Sequence, residues 1–410
     1  MEAILDSKYG KSFLRNHAES ILKFGLNASS PLGGFGYLGY NGSIDNTKNR
    51  ETYQQARFTQ VFGLAHLMNF GNYLPQIEMG IKTLNNLMRD KKSGGYFNSI
   101  DAKNLPASEE KLCYDHVFVL LAASMGIACK NQEAEETFEH IDLILDKYFW
   151  DNEFKMMKNH WNNTFTVLDS YRGMNANMHA VEALLAAFEV SGDNKYFQRA
   201  YDISKKSINV FAKNNPKGRW FLPEHFDSKW NPELDFNKNH PADPFRPYGV
   251  TIGHLFEWAR LLIHLHHKLE GEEHNWMLDG AVGLYGIAKN YGWAPDGGEG
   301  FVYTLDWDGS VVTNSRMFWV PAEAVLAAYG LFQCTGEITY YNDYLNWWTY
   351  IDNNVIDHEF GSWKAELDNN QKLVSGTWEG KPDIYHNFQA AVLPLLPFTR
   401  SFVGAALSNH

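Results

Sequence analysis

Cysteine is scarce in this sequence, and its few cysteines show no pairing. The 410 residues contain three, Cys113, Cys129 and Cys334, an odd number without the close spacing of a disulfide framework or a zinc site. The pattern argues against a chain held together by disulfides or by zinc, and it is typical of reduced thiols. We therefore expect a cytoplasmic protein.

Long apolar runs and clusters of basic residues are also missing. No segment approaches the roughly 20 consecutive apolar residues that cross a bilayer, and residues 1–26 lack the apolar stretch of a signal peptide. Acidic residues outnumber basic ones by 48 to 36 without any basic run, which argues against a nucleic-acid partner. The sequence thus predicts neither a membrane protein nor a nucleic-acid-binding protein.

Apolar and aromatic residues are plentiful and fall at helical spacing. Hydrophobic residues make up 44% of the chain and aromatic residues 15%, which is enough for a large packed core. Apolar side chains recur every three or four positions, as in Phe58, Val61, Ala65 and Met68, and this is the period of a helix face. We therefore expect a mainly helical protein.

Three glycines mark predicted turns inside the helical hairpins. Gly71, Gly192 and Gly336 each follow one aromatic- or alanine-rich helix and precede another. This is the position of a glycine just past a helix C-terminus.

A short segment of similar character recurs between helices, with glycine and aromatic residues followed by charged residues and a turn. Successive copies are roughly 60 to 80 residues apart, which leaves room for two helices and a β-like excursion and so predicts six helical hairpins. The copies lie at Gly36–Tyr37, Gly95–Phe97, Phe154, Trp220–Phe221, Gly300–Tyr303 and Gly361–Trp363.

Six helical hairpins can stack as an open solenoid or close into a ring. A solenoid needs polar capping repeats at its ends, whereas the last unit, residues 386–397, is largely apolar. We therefore predict an all-α fold, an (α/α)6 barrel that forms one catalytic domain over residues 1–410, with short β-hairpin excursions at one rim. The inner helices of such a barrel present polar side chains to a central cavity.

Two predicted helices carry the same polar pair on otherwise apolar faces. His179 precedes Glu182 by three residues, and His254 precedes Glu257 in the same way, so each pair lies on one helical face. Three interpretations stay open: core histidines that bond to a carboxylate, general bases oriented by a glutamate, or ligands of one metal ion. The base interpretation predicts that Glu257 orients His254.

Other candidate signals are weaker. The glycines of Gly34–Gly39 have the spacing of a dinucleotide-binding loop, but the strand before them and the helix after them are missing. No nucleotide cofactor is therefore predicted. The cluster His264, His266 and His267 lies beside Lys268, and we interpret it as a solvated helix face.

Together these residues resemble the N-acylglucosamine 2-epimerase superfamily over nearly the whole chain. The resemblance is strongest for the branch that contains bacterial mannose isomerases and sulfoquinovose isomerases. It implies an (α/α)6 barrel that acts on a reducing monosaccharide without a metal or another cofactor. It is carried by the helix around Arg57 and by Lys111–His116, Asn175–Glu182, Gly253–Glu257, Trp319–Glu323 and Trp378–His386.

The resemblance also implies roles for individual residues. His254 and His386 match the acid–base pair, and Arg57 and His179 are expected to stabilise charge on the sugar oxygens O1 and O2. Stacking on Trp319, Trp363 or Trp378 is a further expectation. The positions that match residues lining or supporting the sugar site are Arg57, Tyr114, Asn175, His179, Glu182, Glu257, Trp319, Glu323 and Trp378.

Two positions differ from what we expect in a sulfoquinovose isomerase, and they limit the choice of substrate. A sulfonate calls for dedicated donors, but the positions expected to hold an arginine and a glutamine are Pro244 and Ala365, although Arg246 and Lys364 are close by. This favours D-mannose or a related aldose such as lyxose over sulfoquinovose.

Several alternatives remain open at this stage. A 2-epimerase would use the same histidines, a non-catalytic sugar-binding barrel would need neither, and a glycoside hydrolase would need two opposed carboxylates. The oligomeric state, monomer or small homo-oligomer, is also open. The segment 231–248, rich in Pro, Asn and Asp, is a candidate mobile loop at the rim.

Overall fold

The chain forms two concentric rings of helices in the computed structural model, which describes Ile4 and residues 6–408. Residues 1–3, 5, 409 and 410 of the predicted domain lie outside the described part. The inner helices are Thr52–Leu67 (α2), Cys113–Ala128 (α4), Met174–Ser191 (α6), Ile252–His266 (α8), Trp319–Thr335 (α10) and Tyr385–Val392 (α12). The outer helices are Lys11–Gly25 (α1), Leu74–Thr83 (α3), Ala134–Ile144 (α5), Asn194–Ser204 (α7), Trp276–Gly292 (α9) and Ile338–Tyr350 (α11). This arrangement confirms the predicted (α/α)6 barrel.

The ring is closed by the two ends of the chain. Helices α2 to α11 form consecutive inner–outer hairpins, whereas the remaining pair joins α1, near the start, to α12, near the end. Helix α12 also packs against the inner helices α10 and α2 on either side of it. The prediction of six hairpins is therefore correct in number, but one of them is assembled from segments that are far apart in sequence.

Burial explains why the two rings differ in sequence. Every residue of α2 from Thr52 to Ala65 is buried, because an inner helix is surrounded by its two neighbours, its outer partner and the site. The outer helix α7 buries only Tyr196, Ala200, Ile203 and Ser204 and so has one apolar face. Polar residues inside the inner helices are consequently the ones that require an explanation.

Left-handed residues follow five of the described inner helices, α2, α4, α6, α8 and α10. Gly192 follows α6 with φ of 69° and Gly336 follows α10 with φ of 71°, as predicted from their positions. After α2 the left-handed residue is Asn69, with φ of 57°, rather than the predicted Gly71. Asparagine tolerates this conformation better than most residues, so the turn two residues earlier needs no glycine.

Short antiparallel strands cover one rim of the barrel. The strands form two three-stranded ladders, β1–β2–β3 and β10–β11–β12, and the pairs β4–β7, β5–β6, β8–β9 and β13–β14. In four cases among the described residues the strand leads directly into an inner helix, and in a fifth only Phe318 lies between them, so the N-termini of these inner helices face this rim. The strands are Arg50–Glu51 (β1), Ser99–Ile100 (β2), Pro106–Ser108 (β3), Lys111–Leu112 (β4), Trp150–Asp151 (β5), Met156–Met157 (β6), His160–Trp161 (β7), Arg172–Gly173 (β8), His225–Phe226 (β9), Val250–Thr251 (β10), Thr304–Leu305 (β11), Val311–Thr313 (β12), Arg316–Met317 (β13) and Glu366–Leu367 (β14).

The opposite end of the barrel is closed by the C-terminal segment. Helix Phe402–Ser408 (α13) packs against α2, α4 and α6. His264 is buried there, donates from Nδ1 to the carbonyl oxygen of Thr399 at 2.5 Å and stacks on Phe398. The interpretation of His264 as part of a solvated helix face is therefore wrong, because the C-terminal segment covers it.

In the described part of the chain, no helix combines the length and the apolar character that crossing a bilayer requires. The thiols of Cys113, Cys129 and Cys334 are all free, the first two buried and the third exposed.

Candidate active site

A pocket opens at the strand-covered rim, where the N-terminal turns of the inner helices converge. It is lined by every predicted site residue except Glu182 and Glu323, which lie beneath it. The lining residues are Tyr53, Arg57, Tyr114, Asn175, His179, Pro244, Phe245, Pro247, His254, Glu257, Tyr303, Phe318, Trp319, Trp378, Pro382, Asp383 and His386. The sequence therefore identified which helices contribute to the site.

Two histidines flank one tryptophan in this pocket. The imidazole of His254 lies 5.3 Å from the Trp319 ring, and that of His386 lies 5.8 Å from it, with similar tilts of 38° and 37°. Gly253 makes this close packing possible, because a Cβ atom there would lie 2.1 Å from the Trp319 ring. A ligand beside Trp319 would thus lie close to both imidazoles.

The orienting partner of His254 is Glu224, a residue that sequence reasoning missed. Nδ1 of His254 lies 2.9 Å from Oε1 of Glu224. A carboxylate oxygen accepts, so Nδ1 carries the proton and Nε2 is left free as a base. The prediction that Glu257 orients His254 is therefore wrong. Glu224 adjoins strand β9, and its carbonyl oxygen accepts from the backbone N–H of Met174, so rim backbone holds it.

His386 has an equivalent partner that belongs to the barrel wall. Its Nδ1 lies 2.8 Å from Oε1 of Glu323 on α10, and Oε2 of the same carboxylate accepts from Nε of Arg260 on α8 at 2.8 Å. Burial raises the pKa of Glu323, but Arg260 and the bond from His386 outweigh it, so the net pKa is lowered. Glu323 is thereby held as an anion that accepts from both neighbours.

The floor of the pocket gathers three carboxyl groups around Arg260. Nη2 of Arg260 lies 3.5 Å from Glu257, and its Nη1 lies 3.9 Å from Glu182. Burial and the charge of Glu323 raise the pKa of Glu257 well above its usual range. Burial alone would raise the pKa of Glu182 too, but the interaction with His179, the charge of Arg260 and the bond from the Tyr385 hydroxyl together lower it to about 2. Glu257 is therefore the first of the three to take up a proton.

The imidazole of His179 lies above this floor without a short bond to either glutamate. Its Nδ1 is 4.0 Å from Glu182 and 3.5 Å from Glu257, and this nitrogen has no hydrogen-bond partner among the described residues. Burial lowers the pKa of His179 to about 3, despite the opposing effect of Glu182. His179 is consequently neutral near pH 7, and the spacing of three residues places the pair close together without joining it.

Arg57 is an oriented cation at the side of the pocket. Its Nη1 donates to Asp383 at 2.9 Å and its Nη2 donates to the Tyr114 hydroxyl at 2.8 Å, while Nε is buried and finds no partner in the described part of the chain. Burial alone would lower the pKa of Arg57, but Tyr114 and Asp383 more than compensate, so the pKa is raised. The guanidinium is therefore charged and fixed, and its Nε–H is unpaired.

Aromatic residues form the mouth of the pocket. Phe245, in the segment between β9 and β10, contacts Tyr114 and Trp378 edge-on, at 5.8 Å and 5.7 Å between ring centroids. Trp363, considered for stacking on the sugar, is instead buried under α1 and donates to His17 at 2.8 Å. Of the three tryptophans considered, Trp319 and Trp378 line the pocket.

The two cations considered for a sulfonate have other contacts. The guanidinium of Arg246 stacks on Tyr171 at 4.2 Å and faces an adjacent cavity. Lys364 donates to the carbonyl oxygen of Asn354. Pro244 does line the pocket, whereas Ala365 is buried outside it.

Metal-ligand geometry is present in the floor. Ligand atoms of His179, Glu182 and Glu257 lie within 4.8 Å of one another, as do those of Glu257, Glu323 and His386. Both sets include carboxyl groups within 4 Å of Arg260. The guanidinium already supplies positive charge where a divalent ion would be bound, so these residues fit an internal cation better than a metal.

Several residues of the site carried no usable sequence signal. Glu224 lies in an irregular rim segment 30 residues before His254, and the β8–β9 ladder next to it helps to bring it there. Arg260 and Asp383 had a weak signal, since each is a charged residue near a predicted site residue on an apolar helix or its approach.

The chain belongs to the N-acylglucosamine 2-epimerase (GlcNAc 2-epimerase) family, which it matches over residues 33–390. Within that family it is similar to a D-mannose isomerase of Thermobifida fusca, with 38% identity over 396 residues and 96% of both chains covered. A D-mannose isomerase of Pseudomonas cannabina pv. alisalensis is 37% identical over 375 residues, covering 91% of this chain and 89% of that protein. A crystal structure of a D-mannose isomerase superimposes with a TM-score of 0.88 at 31% identity, covering 95% of this chain and 98% of the other.

Proposed function

We propose that this protein is an aldose–ketose isomerase that interconverts D-mannose and D-fructose. The observation that carries the proposal is the arrangement of His254 and His386, each with Nδ1 bonded to a carboxylate, at 5.3 Å and 5.8 Å from the Trp319 ring. The similarity to D-mannose isomerases over nearly the whole chain supports the substrate.

The reaction moves two hydrogens between neighbouring carbons and oxygens. One imidazole Nε2 removes the proton from C2 of the open-chain aldose, which gives an enediolate, and a proton is then delivered to C1, while a proton passes from O2 to O1. The product is the ketose, so atoms and electrons balance without an external reductant. A histidine that keeps Nδ1 bonded to a carboxylate is suited to both steps, because the carboxylate stabilises the imidazolium that forms.

Arg57 and His179 stabilise the enediolate in this proposal. Arg57 retains an unused N–H, and its charge is secured by Asp383. His179 acts as a neutral imidazole, because burial lowers its pKa to about 3. A fixed donor in a buried pocket stabilises developing charge more effectively than a mobile one in water.

A neutral hexose suits the pocket better than a sulfosugar. Among the described residues, Arg57 is the lysine or arginine that lines the pocket, and two of its N–H groups are already committed. A sulfonate would thus compete with Asp383 for the same cation. The proposal extends to a single catalytic domain acting on a monosaccharide in the cytoplasm, where free thiols persist.

The test is incubation of purified, EDTA-treated protein with D-mannose in ²H₂O, followed by NMR of the products. Fructose carrying deuterium at C1, formed by the wild type and not by His254→Ala or His386→Ala, would support isomerisation through an enediolate without a divalent metal. Fructose formed only after metal is returned would contradict the metal-independent mechanism.

Other products would identify the alternatives. Glucose with deuterium at C2 would indicate a 2-epimerase that returns the proton from the opposite face. Unchanged mannose would contradict the proposal and would direct the same assay to sulfoquinovose and lyxose. Retention of sugar binding without turnover by the wild type would indicate a binding protein.

A further inference from the structure

Arg260 is a buried cation beneath the pocket that the proposed reaction does not use directly. It lies on α8, is 1% exposed, and approaches Glu323, Glu257 and Glu182 at 2.8, 3.5 and 3.9 Å. These three glutamates come from α10, α8 and α6. One guanidinium therefore joins three inner helices, and a buried cation with a planar fork of donors is suited to this.

Nε of Arg260 is connected to His386 through a single carboxylate, that of Glu323. Oε2 of Glu323 accepts from Arg260, and this leaves Oε1 to accept from Nδ1 of His386. Because both oxygens are occupied, the carboxylate cannot rotate without losing a bond. Without the cation, a buried Glu323 is expected to take up a proton. A protonated Glu323 can donate to Nδ1, which moves the imidazole proton to Nε2, where a base is needed.

Nη1 of Arg260 is connected to α12, the helix of His386, through a second carboxylate, that of Glu182. Glu182, beside Nη1 of Arg260, accepts from the Tyr385 hydroxyl and from Nε2 of Gln389 at 3.2 Å. Tyr385, His386 and Gln389 all lie on α12. Helix α12 is short, and it belongs to the hairpin assembled from the two chain ends. It is therefore not joined by a short loop to α1, its partner in that hairpin. Arg260 therefore holds α12 at two points through two carboxylates.

We infer that Arg260 is a positioning residue that acts through Glu323 to keep His386 in its Nδ1-protonated tautomer, with Nε2 free toward the substrate. The inference rests on the proposed role of His386 in proton transfer. It assigns to Arg260 the place that a divalent ion would take among the same carboxyl groups, and it predicts that the guanidinium fork matters as well as the charge.

The test compares Arg260→Met, which removes the charge at similar length, and Arg260→Lys, which keeps a charge without the fork. Arg50→Met is the matched control, because Arg50 is also a buried arginine but binds the carbonyl oxygen of Asp101 and other rim atoms away from the pocket. Histidine ring ¹⁵N NMR of the free protein reports the tautomer, with the His386 signals assigned by their loss in His386→Ala.

In wild type and Arg50→Met we expect the Nδ1-protonated tautomer of His386. Arg260→Met should shift His386 to the other tautomer or a mixture and lower kcat on the order of 10²-fold, within the range of positioned acid–base catalysis, with a smaller change in KM. Arg260→Lys should fall between the two. Calorimetric titration with Mn²⁺ should show binding to Arg260→Met and not to wild type.

A folded Arg260→Met variant with the wild-type tautomer and kcat would overturn the inference. If Arg260→Met does not fold, Arg260→Lys decides: a wild-type tautomer and kcat in that variant would contradict the requirement for the fork. The NMR readout needs no substrate, so an inert wild type would defeat the proposed function while leaving the tautomer result standing.

Discussion

His254 and His386 have the same local chemistry but are held by different parts of the molecule. Each donates from Nδ1 to a glutamate, at 2.9 Å and 2.8 Å. Glu224, the partner of His254, comes from the strand-covered rim, and in the described part of the chain it forms no ion pair with a lysine or arginine. Glu323, the partner of His386, comes from an inner helix and is paired with Arg260. One histidine is thus held by rim backbone and the other by a buried ion network.

The comparison teaches that an orienting carboxylate can be held in two ways. At the rim, the β8–β9 ladder fixes the backbone on which Glu224 stands, and His225 beside it joins Tyr171 to the carbonyl oxygen of Pro247. On the floor, three helices converge on one cation. His254 is therefore connected, through the rim, to loops near the mouth of the pocket. His386 is connected instead to the helices of the floor.

The largest effect should come from removing either imidazole. We expect His254→Asn and His386→Asn each to lower kcat by about 10³-fold, because each removes a positioned acid–base group. The double variant should be about as slow as the slower single variant, since the two act in one proton transfer sequence. Steady-state formation of fructose from mannose measures this. Effects that multiply in the double variant would indicate two independent functions.

Replacing the two orienting carboxylates should separate the rim from the floor. Glu224→Gln and Glu323→Gln should each lower kcat by about 10²-fold, because an amide no longer enforces one tautomer. Only Glu323→Gln breaks a buried ion pair, so it alone should lower the free energy of unfolding, by about 3 kcal/mol. Urea denaturation measures the difference. Equal losses of stability would show that the rim and floor pairs contribute alike.

A smaller effect is expected where Trp319 packs against the two histidines. Gly253→Ala places a Cβ atom 2.1 Å from the Trp319 ring, so the ring must move, and we expect a loss of about 1–3 kcal/mol in stability from overpacking with a lower kcat/KM. The control is Gly286→Ala on α9, where nothing lies within 4 Å of the added atom. It should raise stability by about 0.5 kcal/mol. An unchanged kcat/KM in Gly253→Ala would mean that Trp319 does not align the substrate.

The fold was predictable because both rings repeat a simple pattern. Helical periodicity and six rim segments indicated the barrel, and the apolar last unit, residues 386–397, indicated closure. The pairing of α1 with α12 was not predictable from local patterns, since the two helices lie at opposite ends of the chain. Turn details such as Asn69 in place of Gly71 also depend on where a helix ends.

The site residues that lie on inner helices could be predicted from the sequence. The prediction failed where a bonding partner comes from another part of the chain. His254 and Glu257 share a face, which made their pairing the natural expectation. In the structure, His254 instead bonds to Glu224, and Glu257 lies 3.5 Å from Arg260. Spacing of three residues reports a shared direction, but the choice of partner is decided by tertiary packing, which places a better acceptor 2.9 Å away. The roles of the site residues remain predictions.

The smallest effect should come from the mouth of the pocket. Phe245 is 38% exposed and contacts Tyr114 and Trp378 only at ring edges, so Phe245→Ala should raise KM about threefold, near 0.7 kcal/mol of binding, and leave kcat unchanged. Leu105→Ala, at an exposed position outside the pocket, should change neither value in the same steady-state assay. A large fall in kcat would show that the segment carrying Phe245 and Pro247 also aligns His254, through His225 and its neighbour Glu224. The rim would then constrain its histidine as firmly as the floor constrains His386.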